Sequence, residues 1–168
     1  MTQRASLGSI SAVAQAAGAK PRRILAVDYG RKRIGLALSD ELGLTAQPLA
    51  TLARTNRQND FRRLREVCRM HGVTHIVVGH PLHMSGEASP MADEAARFAA
   101  RLQKELGIQV ELQDERLTSW EAEQTAAATK MSSRRRHGPL DDVAAAILLR
   151  DYLERKRGPA PAAATEKD

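Results

Sequence analysis

Acidic side chains stand at three separate points of this chain, each where a predicted element begins or ends. Asp28 follows four apolar residues, a pattern typical of a strand covered on both faces. Asp114 and Glu115 stand at the end of a strand predicted over 108–113, and Asp141 and Asp142 fall in the first turn of a predicted helix. Clustered carboxylates can hold two magnesium ions about 3.5–4 Å apart for phosphodiester cleavage. The sequence therefore predicts a metal-dependent hydrolytic site, provided that the fold brings the three positions together.

Each acid also has a purely structural interpretation. Asp28 could cap the turn that follows it, and Asp114 and Glu115 could be solvated loop acids. Asp141 and Asp142 could simply favour the positive end of a helix dipole. The catalytic hypothesis depends on the three positions occurring together.

The order of the predicted elements would bring these positions to one place. Strands are predicted to end at residue 28 and to cover 33–39, 45–52, 75–79 and 108–113; helices are predicted over 56–71, 89–107, from 118 onward, and from about 139 to 155. Short connections make the first three strands antiparallel, and crossover helices make the last two parallel to the first. We expect an α/β fold of the ribonuclease H-like plan, a mixed five-stranded sheet with helices on both faces. The actin-like ATPases use a related plan.

The last helix discriminates between its two acids. Its predicted buried stripe consists of Leu140, Val143, Ala144, Ile147 and Leu148. At about 100° per residue, Asp141 borders that stripe and Asp142 points away from it, so Asp141 is the better metal ligand. Strand parity does not separate Asp114 from Glu115 in the same way, because both follow the last apolar residue of their strand.

Composition restricts the classes of protein. The 168 residues carry a formal net charge of +6, with 42% hydrophobic and 3% aromatic residues. A basic chain favours an acidic partner, most commonly nucleic acid. The single cysteine, Cys68, excludes an intramolecular disulfide and a cysteine-rich zinc site, and no segment is long enough to span a membrane. We predict a flexible leader over 1–21, one domain over 22–156 and a disordered tail over 157–168.

Two basic segments lie close in sequence to the acids. The predicted nucleic-acid-binding residues are Arg31, Lys32 and Arg33 in the first turn, and Lys130, Arg134, Arg135 and Arg136 before the last helix. Such cations could hold phosphates and offset the repulsion between carboxylates and substrate, although a charge run can also be merely solvated. Because few aromatic residues are available for stacking, we expect recognition of backbone and shape.

Four blocks of sequence resemble one known family. They are 26–30 with 33–37, 76–81 with Gly86, 114–119, and 140–145. In this order and spacing they are similar to the YqgF family of Holliday-junction-resolvase-like proteins, regarded as nucleases for the 5′ end of pre-16S ribosomal RNA. The resemblance covers residues 22–153 and implies a ribonuclease H-like fold, a bacterial cytoplasmic setting and nuclease activity with Mg²⁺ or Mn²⁺, two ions being expected once substrate is bound.

The resemblance also implies roles for single residues. Asp28, Glu115 and Asp141 become the catalytic and metal-binding acids, which favours Glu115 over Asp114 by analogy. Residues in the same blocks that we expect to support the site are Gly30, Gly35, Gly79, Pro81 and Thr118.

The chain departs from junction resolvases at three points. Ala144 stands where resolvases carry a second helix aspartate, so one cation would be held weakly or recruited with substrate. Strand four lacks the resolvases' glutamate, so Glu115 would have to substitute from strand five. His80 stands where the family often has an aliphatic residue or lysine, and a packed or solvated role suits it better than catalysis.

Other functions remain open at this point. A junction-DNA resolvase would act as a dimer, whereas we expect a monomer or weak homodimer. The Asp28-x-Gly30 segment with Gly35 also resembles the first phosphate loop of actin-like phosphotransferases, but no second such loop follows. A nucleic-acid-binding module without catalysis is disfavoured because unneutralised acids repel phosphate.

Overall fold

The computed structural model describes residues 22–118 and 141–158. Its elements are β1 (Arg23–Tyr29), β2 (Arg33–Ser39), β3 (Ala46–Ala53), α1 (Arg57–His71), β4 (Val73–His80), α2 (Pro90–Leu106), β5 (Gln109–Asp114), a 3₁₀ turn (Glu115–Thr118) and α3 (Asp141–Arg157). The predicted leader, the basic loop, the helix predicted from residue 118 onward and nearly all of the predicted tail lie outside the described residues. None of the described helices is long and apolar enough to cross a bilayer.

The five strands form one mixed sheet in the order β3-β2-β1-β4-β5. β1 pairs antiparallel with β2, which pairs antiparallel with β3, whereas β4 is parallel to both β1 and β5. The predicted topology is therefore confirmed. Because the carboxyl ends of β1, β4 and β5 meet at one edge of the sheet, Asp28 and Asp114 lie at that same edge.

Local capping chemistry sets the ends of α1 and α2. The side chain of Asn56 accepts a hydrogen bond from the amide of Asn59 at 2.9 Å, and that of Ser89 accepts one from Ala92 at 3.0 Å. Gly72 and Gly107 end the two helices in the left-handed conformation, each with φ of 66°. These starts and stops match those that the sequence predicts.

One face of the sheet packs against α1 and α2 through large apolar side chains. Leu25, Leu36 and Ile76 from the strands are fully buried, as is Leu64 from α1. Cys68 is buried in the same cluster, as a core residue. This layer is the principal core of the domain.

The other face packs against α3 through smaller strand residues. Ala26, Ala37 and Val77 form its floor and are fully buried. The buried positions of α3 are Ala145, Leu148, Leu149, Asp151, Tyr152 and Leu153.

The predicted stripe of α3 is therefore wrong at most of its positions. Ala144 is exposed, Val143 and Ile147 are half-buried, and only Leu148 is buried as expected, while Leu140 lies outside the described residues. The helix carries apolar residues on several sides, so periodicity offered two stripes. The stripe that packs on Ala26 and Ala37 is the one containing Ala145 and Leu149. Since Asp141 lies four residues before Ala145, it stands in line with the true stripe.

Candidate active site

Asp28 faces α3 because β1 alternates its side chains between the two layers. Ala26 packs in the α3 layer, and Asp28 lies two residues further along the same strand face. Its partner across the antiparallel pair is Gly35. A Cβ atom on Gly35 would overlap the backbone oxygen of Asp141. The missing side chain thus lets the first turn of α3 lie directly on β2, beside Asp28.

A second glycine makes room for Glu115. β5 ends at Asp114, and Glu115 begins the 3₁₀ turn that follows it. A Cβ atom on Gly79 would overlap the Oε1 atom of Glu115 and would lie 3.4 Å from its Cγ. The carboxylate of Glu115 therefore lies over β4, on the α3 side of the sheet, at the same edge as Asp28.

Asp114 has a different environment from its neighbour. Asp114 is in register with His80 on β4, the residue after Gly79. Because successive strand residues point to opposite faces, the side chain of Asp114 lies on the face opposite Gly79. Its carboxylate accepts hydrogen bonds from the backbone and from the guanidinium of Arg116, the shortest at 2.5 Å. The hydrogen bonds of Arg116 lower the pKa of Asp114. Asp114 thus has a structural partner in Arg116, and His80, which is in register with Asp114, shares its side of the sheet.

The acids on the α3 side influence one another electrostatically. Burial, followed by repulsion from Asp141, raises the pKa of Asp28 from 3.8 to about 6. Burial, followed by repulsion from Asp28 and then Asp114, raises the pKa of Glu115 from 4.5 to about 7. Asp28 is therefore the carboxylate that interacts electrostatically with both Asp141 and Glu115. Among the described residues nothing donates a hydrogen bond to its carboxylate, which disfavours a turn-capping role.

Asp141 has a single cationic neighbour in the described part of the chain. The Nε atom of Arg33 lies 2.8 Å from its Oδ2 atom. That oxygen is nevertheless buried without an aligned hydrogen bond. Arg33 shares the α3 side of β2 with Gly35, two residues further on, so the strand places one cation beside the acid cluster.

The carboxylates suit a hard divalent cation, but in the described residues they do not converge closely enough to coordinate one ion together. Carboxylate oxygens are preferred ligands of Mg²⁺ and Mn²⁺. Carboxyl groups whose pKa values are raised by burial and mutual repulsion, and a buried Asp141 oxygen that accepts no aligned hydrogen bond, are what metal ligands without their cation would show. Within 22–118 and 141–158, however, no three His, Cys, Asp or Glu side chains are close enough to hold one ion jointly.

The predicted basic residues have several different fates. Arg31 is ion-paired with Glu94 at 2.7 Å on the α1/α2 side, whereas Arg33 approaches Asp141 on the α3 side. Lys32 is exposed in the turn between them. Lys130, Arg134, Arg135 and Arg136 lie outside the described residues. The basic side chains of the β1–β2 turn therefore lie on both faces of the sheet rather than forming one surface beside the acids.

The predicted supporting residues also have identifiable contacts. A Cβ atom on Gly30 would lie 2.5 Å from the backbone oxygen of Arg33, so the tight turn requires glycine there. The carbonyl of Pro81 accepts a hydrogen bond from the side chain of Ser89 at 2.8 Å, which fixes the loop before α2. Thr118 ends the 3₁₀ turn, and its side chain lies outside the described atoms.

Sequence reasoning missed the pairing of Arg33 with Asp141 and of Arg116 with Asp114. The first pairing could have been predicted in part, because Arg33 and Gly35 are two residues apart on one strand and so share a face. The second depends on a 3₁₀ turn, for which the sequence carries no periodic pattern.

The sequence profile described as "RuvX: Holliday junction resolvase" matches residues 22–155. The chain belongs to the RuvX family. This membership confirms the resemblance to YqgF-type proteins, and it confirms the nuclease prediction at the level of the family.

Individual relatives agree with this placement. A Koribacter versatilis protein named "Putative pre-16S rRNA nuclease" is 45% identical over 134 residues, covering 80% of this chain and 88% of the relative. One of the same name from Geobacillus kaustophilus is 44% identical over 137 residues, covering 80% of this chain and 99% of the relative.

The solved structures bear on the fold. RuvC from T. thermophilus, in complex with a Holliday junction substrate, superposes with a TM-score of 0.52 at 17% identity, over 82% of this chain and 96% of that one. This likeness confirms the ribonuclease H-like fold expected for a RuvX family chain.

Proposed function

We propose that this RuvX family chain is a metal-dependent nuclease whose acids are Asp28, Glu115 and Asp141. The observation that carries the proposal is the position of Asp28 between two other carboxylates at one sheet edge, with its pKa raised by burial and by Asp141. The pKa of Glu115 is raised further still, mainly by burial and in part by repulsion from Asp28. A fold that buries like charges together incurs an electrostatic cost, which a bound cation would offset.

Divalent cations, Mg²⁺ or Mn²⁺, would supply activation of water and stabilisation of the leaving oxygen once bound. The three acids would hold them, with Asp28 central. Because the acids are not drawn around one point and Ala144 offers no further ligand, we propose that substrate phosphate completes the coordination. Arg33 limits the repulsion around Asp141 until then.

The proposed substrate is structured RNA, and the proposed reaction is maturation of the 5′ end of pre-16S ribosomal RNA in the cytoplasm. The names of the relatives from Koribacter and Geobacillus support this choice. The description of the family profile favours branched DNA as the second candidate. A monomer or weak homodimer suits the RNA substrate, since a resolvase cuts two strands as a symmetric dimer.

The test compares cleavage of a labelled pre-16S precursor and a four-way DNA junction in Mg²⁺, Mn²⁺ and EDTA. Asp28→Asn, Glu115→Gln and Asp141→Asn should each lower the cleavage rate at least 10²–10³-fold, as loss of a catalytic group typically does. Asp114→Asn is the matched control, because Asp114 adjoins Glu115 in sequence but is bonded to Arg116. It should retain activity within a few-fold.

Cleavage that persists in EDTA, or equally in all four variants, would refute the assignment of the acids. If the four-way DNA junction is cleaved faster than the RNA precursor, branched DNA becomes the preferred substrate and structured RNA the second candidate. If Asp28→Asn binds RNA and supports growth as well as the wild type, the chain is a binding module rather than a nuclease.

A further inference from the structure

A basic groove lies on the face of the sheet opposite the proposed acids. It runs between α1 and α2 and encloses about 660 Å³. Tyr29, Phe61 and Phe98 form its floor, and the rings of Phe61 and Phe98 lie 5.5 Å apart. Its walls carry arginine side chains from both helices and from the segment after β3.

The groove carries uncompensated positive charge. Arg57, Arg97 and Arg101 line it, and in the described part of the chain none of them has a carboxylate within 4 Å. The acid of the lining, Glu94, is already bonded to Arg31 at 2.7 Å. The fourth arginine of the lining, Arg54, is likewise paired, with buried Asp60 at 3.1 Å. Arg97 also attracts Glu94 and contributes to the lowered pKa of that carboxyl, after the larger effect of Arg31. The lining nevertheless keeps a net positive charge on Arg57, Arg97 and Arg101, and the planar donor geometry of their guanidinium groups suits phosphate oxygens.

The groove adjoins the proposed catalytic edge. Tyr29 of its floor directly follows Asp28, and adjacent strand residues point to opposite faces of the sheet. The first turn connects the two sites, because Arg31 bonds Glu94 on the groove side while Arg33 approaches Asp141 on the acid side. A polyanion lying across this edge would pass from the acids into the groove.

The shape of the groove suits one strand rather than a duplex. On α2 the lining runs from Glu94 to Arg101, about 10 Å at 1.5 Å per residue, which is too short to take the width of a double helix. The floor does not offer stacking surfaces, since Phe61 and Phe98 are only 5% and 6% exposed and Arg54 covers the ring of Tyr29 at 4.9 Å. Such a channel recognises backbone phosphates and not bases.

We propose that this groove holds a single-stranded segment of the nucleic-acid substrate next to the scissile bond, with its phosphates against Arg57, Arg97 and Arg101. The identity of the strand as substrate rests on the proposed nuclease function. Binding to the groove does not, because the acids and their cations take no part in it.

The test measures binding in EDTA, where cation-dependent cleavage cannot occur. Full-length protein is titrated against fluorescently labelled single-stranded RNA and a blunt RNA duplex of the same sequence, across a salt series. The variant is Arg57→Gln, Arg97→Gln and Arg101→Gln combined. The matched control is Arg22→Gln, Arg69→Gln and Arg155→Gln, which removes the same charge from exposed sites at the opposite edge. Thermal melting verifies that both triple variants fold.

The groove variant should lose at least tenfold in affinity for the single strand. The slope of log affinity against log salt should fall by about 2, since each phosphate contact to a single strand contributes about 0.7. The control should keep its slope and most of its affinity. Equal losses in both variants, or equal losses for single strand and duplex, would overturn the proposal.

This result is separable from the nuclease assignment. If the groove variant binds as the wild type does while Asp28→Asn abolishes cleavage, the groove proposal fails and the nuclease stands. If the groove variant loses binding as expected but no protein cleaves RNA with Mg²⁺ or Mn²⁺, the nuclease fails and the groove stands.

Discussion

The two faces of the sheet are built from different sizes of side chain, and the difference separates stability from chemistry. The α1/α2 face buries Leu25, Leu36 and Ile76 against Leu64 and phenylalanine rings. The α3 face has Ala26 and Ala37 at its centre and glycine at the edge where Asp28, Glu115 and Asp141 lie. Large residues supply most of the apolar burial, whereas small ones let a helix approach closely enough to bring Asp141 beside Asp28. The acids thus depend on a layer that contributes less to the core.

Gly35→Ala should be the most damaging substitution on the α3 face. Its Cβ would collide with the backbone of Asp141, which can yield only if the start of α3 moves. We expect a loss of roughly 1–3 kcal/mol or more in unfolding free energy, as for overpacking, together with loss of cleavage. Urea unfolding and the cleavage assay measure the two effects, and a wild-type midpoint would refute the close approach.

Gly79→Ala, on the same face, should affect the cleavage rate much more than the stability of the fold. Its Cβ meets the Oε1 atom of Glu115, the end of a flexible side chain that can rotate away. Cleavage should fall about 10²-fold because Glu115 is displaced, while unfolding free energy changes by less than about 1 kcal/mol. A variant that keeps full activity would show that Glu115 does not need to lie over β4.

Leu64→Ala should have the opposite profile, since it lies on the α1/α2 face. Removing this fully buried side chain should cost about 2–5 kcal/mol of unfolding free energy. At a temperature where the variant remains folded, the cleavage rate should stay within a few-fold of wild type. Loss of activity beyond the unfolded fraction would mean that the large core also positions the acids.

The acid cluster should make the metal-free protein less stable as pH rises. The native pKa values of Asp28 and Glu115, about 6 and about 7, exceed their ordinary values of 3.8 and 4.5. The native state therefore binds more protons than the unfolded state between these limits, and stability falls with increasing pH. We expect a loss on the order of a few kcal/mol between pH 4 and pH 8, since each pKa unit corresponds to about 1.4 kcal/mol.

Asp28→Asn combined with Glu115→Gln supplies the control for that pH dependence. In EDTA the double variant should lose less stability than wild type over the same range, and at pH 8 Mg²⁺ should stabilise wild type only. Identical pH profiles for the two proteins would contradict the raised pKa values.

The smallest effect is expected at the far end of the α3 face. Tyr152 donates a hydrogen bond to Glu111, and its hydroxyl lies 3.0 Å from the Nε2 atom of His75. Tyr152→Phe should cost about 1 kcal/mol of unfolding free energy through the lost hydrogen bonds. Cleavage should be unchanged, because this network lies at the opposite edge from Asp28. A change in cleavage rate would show that the two ends of α3 are coupled.

The sequence by itself determined the order of the elements and the candidate acids. The caps Asn56 and Ser89 and the terminal glycines act locally, so their positions could be read directly. The alternating strand residues fixed which side chains share a face, and the short connections fixed the topology.

Only the tertiary structure decided which side of α3 is buried and how Glu115 differs from Asp114. Apolar residues occur on several sides of α3, and only the packed structure shows that Ala145, rather than Ala144, lies in the cluster with Ala26 and Ala37. The separation of the adjacent acids came from a 3₁₀ turn over Gly79. Both outcomes depend on contacts between residues far apart in sequence, which local periodicity does not encode.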